Sequence, residues 1–272
     1  MPPPPELPYG TNLVGLPTEL IACVAFNDRP SELHISGVRE MNAPLFEMLS
    51  VAENIEDASE AFLKYMVAVF GQDVLQKSDD MPCRGFRRPF RLSFLRLLMG
   101  WGYDSSSPEA AVLKGWIESR FGLLPGYHGT PIENFSDASF LAYVEERMAS
   151  SFHTNSIFSQ LDLLYEYAQW TLANLVSPEE RHIRLYRGVD GFREHHVVSR
   201  FDKHHFILRL NSLSSFTSDR WVADCFGHTI LTVDVPLAKV LFSNTLLTFF
   251  PLRSEREFWV IGGDYRVSVE RD

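Results

Sequence analysis

Glu257-Phe258-Trp259-Val260-Ile261-Gly262-Gly263-Asp264-Tyr265-Arg266-Val267-Ser268-Val269 is the stretch that decides the fold. Tyr265, Val267 and Val269 alternate with Arg266, Ser268 and Glu270, the period of a strand with one face in a core and one in water. Gly262-Gly263 between two such runs reads as the turn of a β-hairpin. Upstream, residues 206–210, 229–235 and 240–242 are rich in β-branched and aromatic side chains, and Ile183, Leu185 and Val189 mark a further short strand. The last third of the chain is therefore read as a mainly antiparallel sheet.

Before residue 183 the period is helical. Leu161, Leu164, Tyr165, Ala168, Leu172 and Leu175 recur at steps of three and four, which predicts a helix over 159–176 that stops at Ser177-Pro178. Ser107-Pro108-Glu109 has the order of N-cap, first-turn proline and first-turn acid, opening a helix that runs to about Phe121. Residues 57–70, 90–101 and 137–150 are three more helix candidates. Residues 1–18 hold six prolines and two glycines, so an extended Pro-rich segment is expected at 1–25. The reading is α+β in one domain over 26–272, with a helical part at about 40–180 and a strand-rich core at about 181–272.

The 272 residues carry 45% hydrophobic side chains, enough for a large core, and 22% charged ones. A net charge of -10 argues against a general nucleic-acid binder, which needs a basic surface. Three scattered cysteines indicate neither a disulfide framework nor a zinc knuckle, and no metal is expected. Without a basic stretch leading into an apolar one near Met1, and with 229–252 broken by Asp234, Pro236 and Lys239, no membrane insertion is expected and the location expected is cytoplasmic.

Phosphate-loop, dinucleotide-fingerprint and nucleophile-elbow signatures are absent from the sequence. Residues 84–91 pack four arginines and two phenylalanines, which suits a solvated helix entrance, an acidic partner protein or stacked bases. Three short elements of the strand-rich third stand out. Leu185-Tyr186-Arg187-Gly188 ends a strand with a guanidinium able to grip a diphosphate, and a glycine that lets a ligand approach the backbone; alone it also reads as a surface arginine. Ser215-Phe216-Thr217-Ser218 brings hydroxyls to a strand end, or simply makes a turn. Glu255 and Glu257 share one side if the backbone is extended there, which suits chemistry with a developing cation, or an exposed charged strand start.

Read in order, Arg187, Ser218 and Glu255-x-Glu257 resemble the R-S-E pattern of the arginine-specific mono-ADP-ribosyltransferases. From about Phe26 to Val269 the chain is similar to the bacterial branch of that family that acts on the nitrogenase iron protein. The resemblance implies a split antiparallel β core with an NAD+ cleft between its halves, and NAD+ as co-substrate. It implies that Arg187 and Gly188 bind NAD+, that Ser218 orients the catalytic glutamate, and that Glu257 bonds the nicotinamide-ribose hydroxyl. Glu255 would position or deprotonate the acceptor guanidinium, and the segment through Phe249, Phe250 and Arg253 would read the protein substrate. The implied partners are the nitrogenase iron protein and a regulating PII-type signal protein. Where many members have Ser-Thr-Ser, this chain has Ser218-Asp219-Arg220, which leaves the parts played by Asp219 and Arg220 open. The alternatives on the same scaffold are an arginine transferase or NAD+ glycohydrolase with another target, or a catalytically inactive NAD+-sensing module.

Overall fold

The computed structural model describes residues 12–71, 94–191, 195–250 and 255–271. The helical half runs through Thr18–Ala22 (α1), Val24–Asp28 (α2), Val38–Met41 (α3), Ala43–Ser50 (α4), Ile55–Phe70 (α5), Phe94–Tyr103 (α6) and Pro108–Phe121 (α7). A small ribbon of Tyr127–His128 (β1) and Thr130–Pro131 (β2) leads to Ala138–Ala149 (α8) and Asn155–Thr171 (α9), which continues as a π-helical turn over Leu172–Val176. The strand-rich part follows as His182–Val189 (β3), His196–Arg200 (β4), His205–Thr217 (β5), the short helix Arg220–Asp224 (α10), Thr229–Pro236 (β6), Val240–Ser243 (β7) and Glu257–Arg271 (β8).

The predicted start of α7 is found in detail. Ser107 Oγ accepts the Ala110 N–H at 3.1 Å, Pro108 opens the helix, and Gly122 closes it at φ +75°. The helix α9 starts earlier than its apolar stripe predicts, because Thr154 caps it by accepting the Ile157 N–H. Burial also extends beyond the stripe, since α9 hides two carboxylates that have partners. Glu166 receives Arg39 Nε and the Ile35 N–H, each at 2.6 Å, and Asp162 receives Trp116 and Arg120. A buried charge persists only when paired in this way.

The expected N-terminal extension is packed where it is described. Leu13 N–H bonds the Arg120 carbonyl, Thr18 Oγ1 bonds that of Phe121, and Ile21 and Phe26 are buried in the core. These contacts hold residues 12–18 against the C-terminal end of α7, and α1 and α2 pack on β8, in place of an extended run.

The strands form one antiparallel set whose pairings return on themselves. β5 pairs β8 from His205↔Ser268 to Thr217↔Glu257, and the far end of β8 pairs β6 from Thr229↔Arg271 to Thr232↔Ser268. β6 pairs β3 throughout, and β3 meets β5 again at Tyr186↔Thr217. β4 flanks β5 and β7 flanks β8. The α+β class is as read from the sequence, and the antiparallel core is of the kind the resemblance implied.

Gly262-Gly263 is not a hairpin turn. Both glycines lie inside the single fifteen-residue strand β8, opposite an irregularity between Leu210 and Leu213 in β5. A Cβ on Gly262 would stand 2.1 Å from the Asn211 carbonyl oxygen, and Gly263, at φ +125°, would meet Ala22 O at 2.7 Å. The glycines are there because the bulged neighbour strand and the end of α1 press against the backbone. Beneath them Lys239 is wholly buried, donating to the Gly262 carbonyl at 3.0 Å, 4.9 Å from the Tyr265 ring and 5.6 Å from that of Phe26. Burial pushes its ammonium down to about 7.

Candidate active site

A cleft of about 660 Å³ opens where the strand-rich part meets α6 and the Tyr127 turn. Arg187, Gly188, Glu255 and Glu257 all line it. Its strand wall depends on the alternation of β5 and β8. The register Thr217↔Glu257 and Ser215↔Trp259 puts Ser215, Thr217, Glu257 and Trp259 on one face. Ser215 and Thr217 therefore line the cleft with Glu257. Ser218 does not, because β5 ends at Thr217 and the Ser218 N–H turns to the Arg256 carbonyl. The hydroxyl beside the glutamate is thus three residues before the one singled out from the sequence. Both lie in the quoted Ser215-Phe216-Thr217-Ser218 element, and counting two residues back from the strand end would have selected Ser215.

Glu257 is buried at the start of β8. Its backbone is clamped by Asn244, whose Oδ1 accepts the Glu257 N–H at 3.0 Å and whose N–H bonds the Glu257 carbonyl at 3.1 Å. Burial pushes its carboxyl up, and the neighbouring charge of Glu255 adds to the rise; the Ser215 hydroxyl, the Trp259 indole and the Arg187 guanidinium pull it back. Oε2 is buried without a hydrogen-bond partner among the described residues. Arg187 is held in turn by its Nη1 donating to the Ser215 carbonyl at 2.9 Å.

Glu255 and Glu257 reach the same cleft by another route than strand alternation. Glu255 precedes the strand, and Arg256 between them has φ +45°, the left-handed region that a non-glycine residue rarely occupies. Thr217 Oγ1 donates to the Glu255 carbonyl at 2.7 Å and pins this kink. Gly188 also has a different reason from the one its motif suggested. A Cβ there would sit 2.0 Å from the Ala223 carbonyl oxygen and 2.9 Å from Gly227 N, so its missing side chain makes room for α10 rather than for a ligand.

Asp219 and Arg220 both have partners within the fold. Asp219 Oδ1 accepts the Trp221 N–H at 2.9 Å and caps α10, while Arg220 pairs with Glu270 at 2.8 Å. Neither residue lines the cleft. Phe250 is buried against Phe242, and Phe249 packs on the same core. Arg253 and the arginine-rich run 84–91 lie outside the described residues.

The opposite wall of the cleft was not foreseen. Trp101, Tyr103 and Ser105 come from α6 and the turn after it, and Tyr127 from β1. They are tied together by Lys114 of α7, a fully buried ammonium that donates to the carbonyls of Ser105 at 2.8 Å and Tyr127 at 2.9 Å and faces His128 Nδ1 at 3.1 Å. A lysine in the middle of the apolar run from Ala110 to Ile117 was the one signal available. The cleft volume falls within the roughly 300–1,000 Å³ usual for small-molecule sites. The lining carries one guanidinium, that of Arg187, and three carboxylates, those of Asp190, Glu255 and Glu257, a set able to grip a diphosphate and to accept ribose hydroxyls.

The family model for dinitrogenase reductase ADP-ribosyltransferase (DRAT) matches residues 11–269. A relative from Rhodospirillum rubrum, NAD(+)--dinitrogen-reductase ADP-D-ribosyltransferase, is 54% identical over 265 residues, covering 97% of this chain and 96% of its own. No solved structure matches. Among the described residues no helix is long and apolar enough to cross a membrane.

Proposed function

Because the chain belongs to the dinitrogenase reductase ADP-ribosyltransferase family, we propose that it transfers ADP-ribose from NAD+ to an arginine of dinitrogenase reductase, the nitrogenase iron protein, and so reversibly switches nitrogenase off. The observation that carries this reading is the convergence of Arg187, Glu255 and Glu257 on one cleft. NAD+ supplies the ADP-ribosyl group, and breaking its glycosidic bond to nicotinamide builds positive charge on the ribose. Glu257, which lines the cleft, faces that charge as a carboxylate and accepts the ribose hydroxyl. Arg187 and the backbone of Gly188 hold the dinucleotide. The hydroxyl role expected of Ser218 belongs in this scheme to Ser215.

Glu255 takes the acceptor. An arginine guanidinium is protonated at neutral pH and is a poor nucleophile until it is held and loses a proton. Glu255 does both in this scheme, a reading supported by its position outside the strand and nearer solvent than Glu257. A PII-type nitrogen-signal protein is the proposed regulator, as the family resemblance implies.

The test uses labelled NAD+, the purified chain, ADP-bound iron protein and a PII-type protein with ADP. Label on an iron-protein arginine, lost in Glu257→Gln, is the expected result. Nicotinamide released with no label on the iron protein would keep the chemistry and remove the target. NAD+ binding with neither product would mean a sensing module.

A further inference from the structure

Trp101 reaches the cleft from the helical half, far in sequence from every residue of the R-S-E pattern. It is 3% exposed, and its indole Nε1 donates to Ser215 Oγ at 2.8 Å. The ring is fixed on two sides, with the Trp259 ring centroid 6.0 Å away and Lys114 Nζ at 5.8 Å over its face. An indole N–H can only donate. Ser215 must therefore accept from it, and the single proton of its own is left for Glu257, its diagonal neighbour on the same strand face and in the same cleft.

We propose that Trp101 is a positioning residue for Glu257, committing the Ser215 hydroxyl as an acceptor on one side so that its proton points to the Glu257 carboxylate on the other. The relay joins α6 to the start of β8, so the helical half sets the orientation of the carboxylate on the strands. Apart from Ser215 and Trp259, the groups acting on that carboxylate are Glu255 and Arg187, and neither is touched by the change tested here. The relay rests on the reading of Glu257 as the group beside the ribose only for its effect on turnover; its effect on the carboxylate itself is independent of that reading.

The decisive variant replaces Trp101 by benzothienylalanine, which keeps the shape of the indole and removes the N–H alone. Trp101→Phe and Ser215→Ala accompany it, each checked for a wild-type melting transition. The carboxyl of Glu257 is followed by 13C NMR titration of glutamate-labelled protein, assigned by its loss in Glu257→Gln. Its apparent pKa should rise in the benzothienyl variant, and the same replacement should change nothing in a Ser215→Ala background. In turnover, kcat should fall by about 10-fold with KM for NAD+ little changed, and the Trp101 and Ser215 losses should not add. Titration curves that coincide with wild type, or additive losses, overturn the relay. A shifted titration in a chain whose wild type releases no nicotinamide would uphold the relay and sink the proposed function.

Discussion

The two walls of the cleft are built on different principles. The strand wall presents Arg187, Ser215 and Glu257 from paired strands, where register fixes each side chain relative to its neighbour. The helical wall presents Trp101, Tyr103, Ser105 and Tyr127 from a helix end and turns, and a buried ammonium, Lys114, gathers two of their carbonyls. One wall holds the groups that meet developing charge. The other shapes the space and excludes water. Damage to the first should appear in kcat, and damage to the second, apart from the Trp101 indole that bonds Ser215, in KM and stability.

The sharpest test of that division is Glu257→Gln, which should lower turnover by about 100-fold or more while NAD+ still binds, as measured by single-turnover nicotinamide release. Next is the pair of serines. Ser215→Ala should cost about 10-fold or more in kcat and Ser218→Ala almost nothing, and the reverse ranking would mean that the strand face has been misassigned. Glu255→Gln should slow transfer to the iron protein about 10-fold more than it slows hydrolysis of NAD+ to free ADP-ribose. Equal losses would remove its role with the acceptor.

On the helical wall, Lys114→Met removes the buried ammonium that joins the Ser105 and Tyr127 carbonyls, the second of which keeps Asn211 Nδ2 as a donor at 3.0 Å, so the melting temperature should drop and KM for NAD+ rise several-fold with kcat better preserved. A kcat loss matching that of Ser215→Ala would erase the distinction between the walls. The smallest effect concerns Lys239, away from both. Folded, it loses its proton near pH 7; unfolded, it keeps it to about 10.4. The folded chain binds fewer protons between those values, so this lysine's contribution to stability rises with pH across them. The melting temperature of Lys239→Met, relative to wild type, should therefore become steadily less favourable from pH 7 to pH 10.

How much of this was legible follows the same divide. The strand wall could be read because chemistry demands particular side chains at short spacings, and Arg187 and Glu255-x-Glu257 arrive in the cleft as expected. Ser215 was displaced by three positions because a string of hydroxyls does not say where its strand ends. The helical wall was invisible because its work is done by backbone carbonyls and one indole N–H, contacts between residues remote in sequence. Gly262-Gly263 misled for a related reason: a turn and a crowded strand interior both call for glycine, and only the bulge at 210–213 distinguishes them. The start of α7 was readable because a helix start is a purely local event.

The edge strand β4 has one more consequence. It leans on β5 alone, its Val197 and Val198 are about 40% exposed, and such an edge invites a second chain to add its own backbone. The ladder, however, slips between Val197 and Ser199, and the strand is closed at its ends by His196 and Arg200. The slip breaks the regular spacing of donors and acceptors that an incoming strand would need, so this margin is a poor seed for fibrils and favours solubility at high concentration.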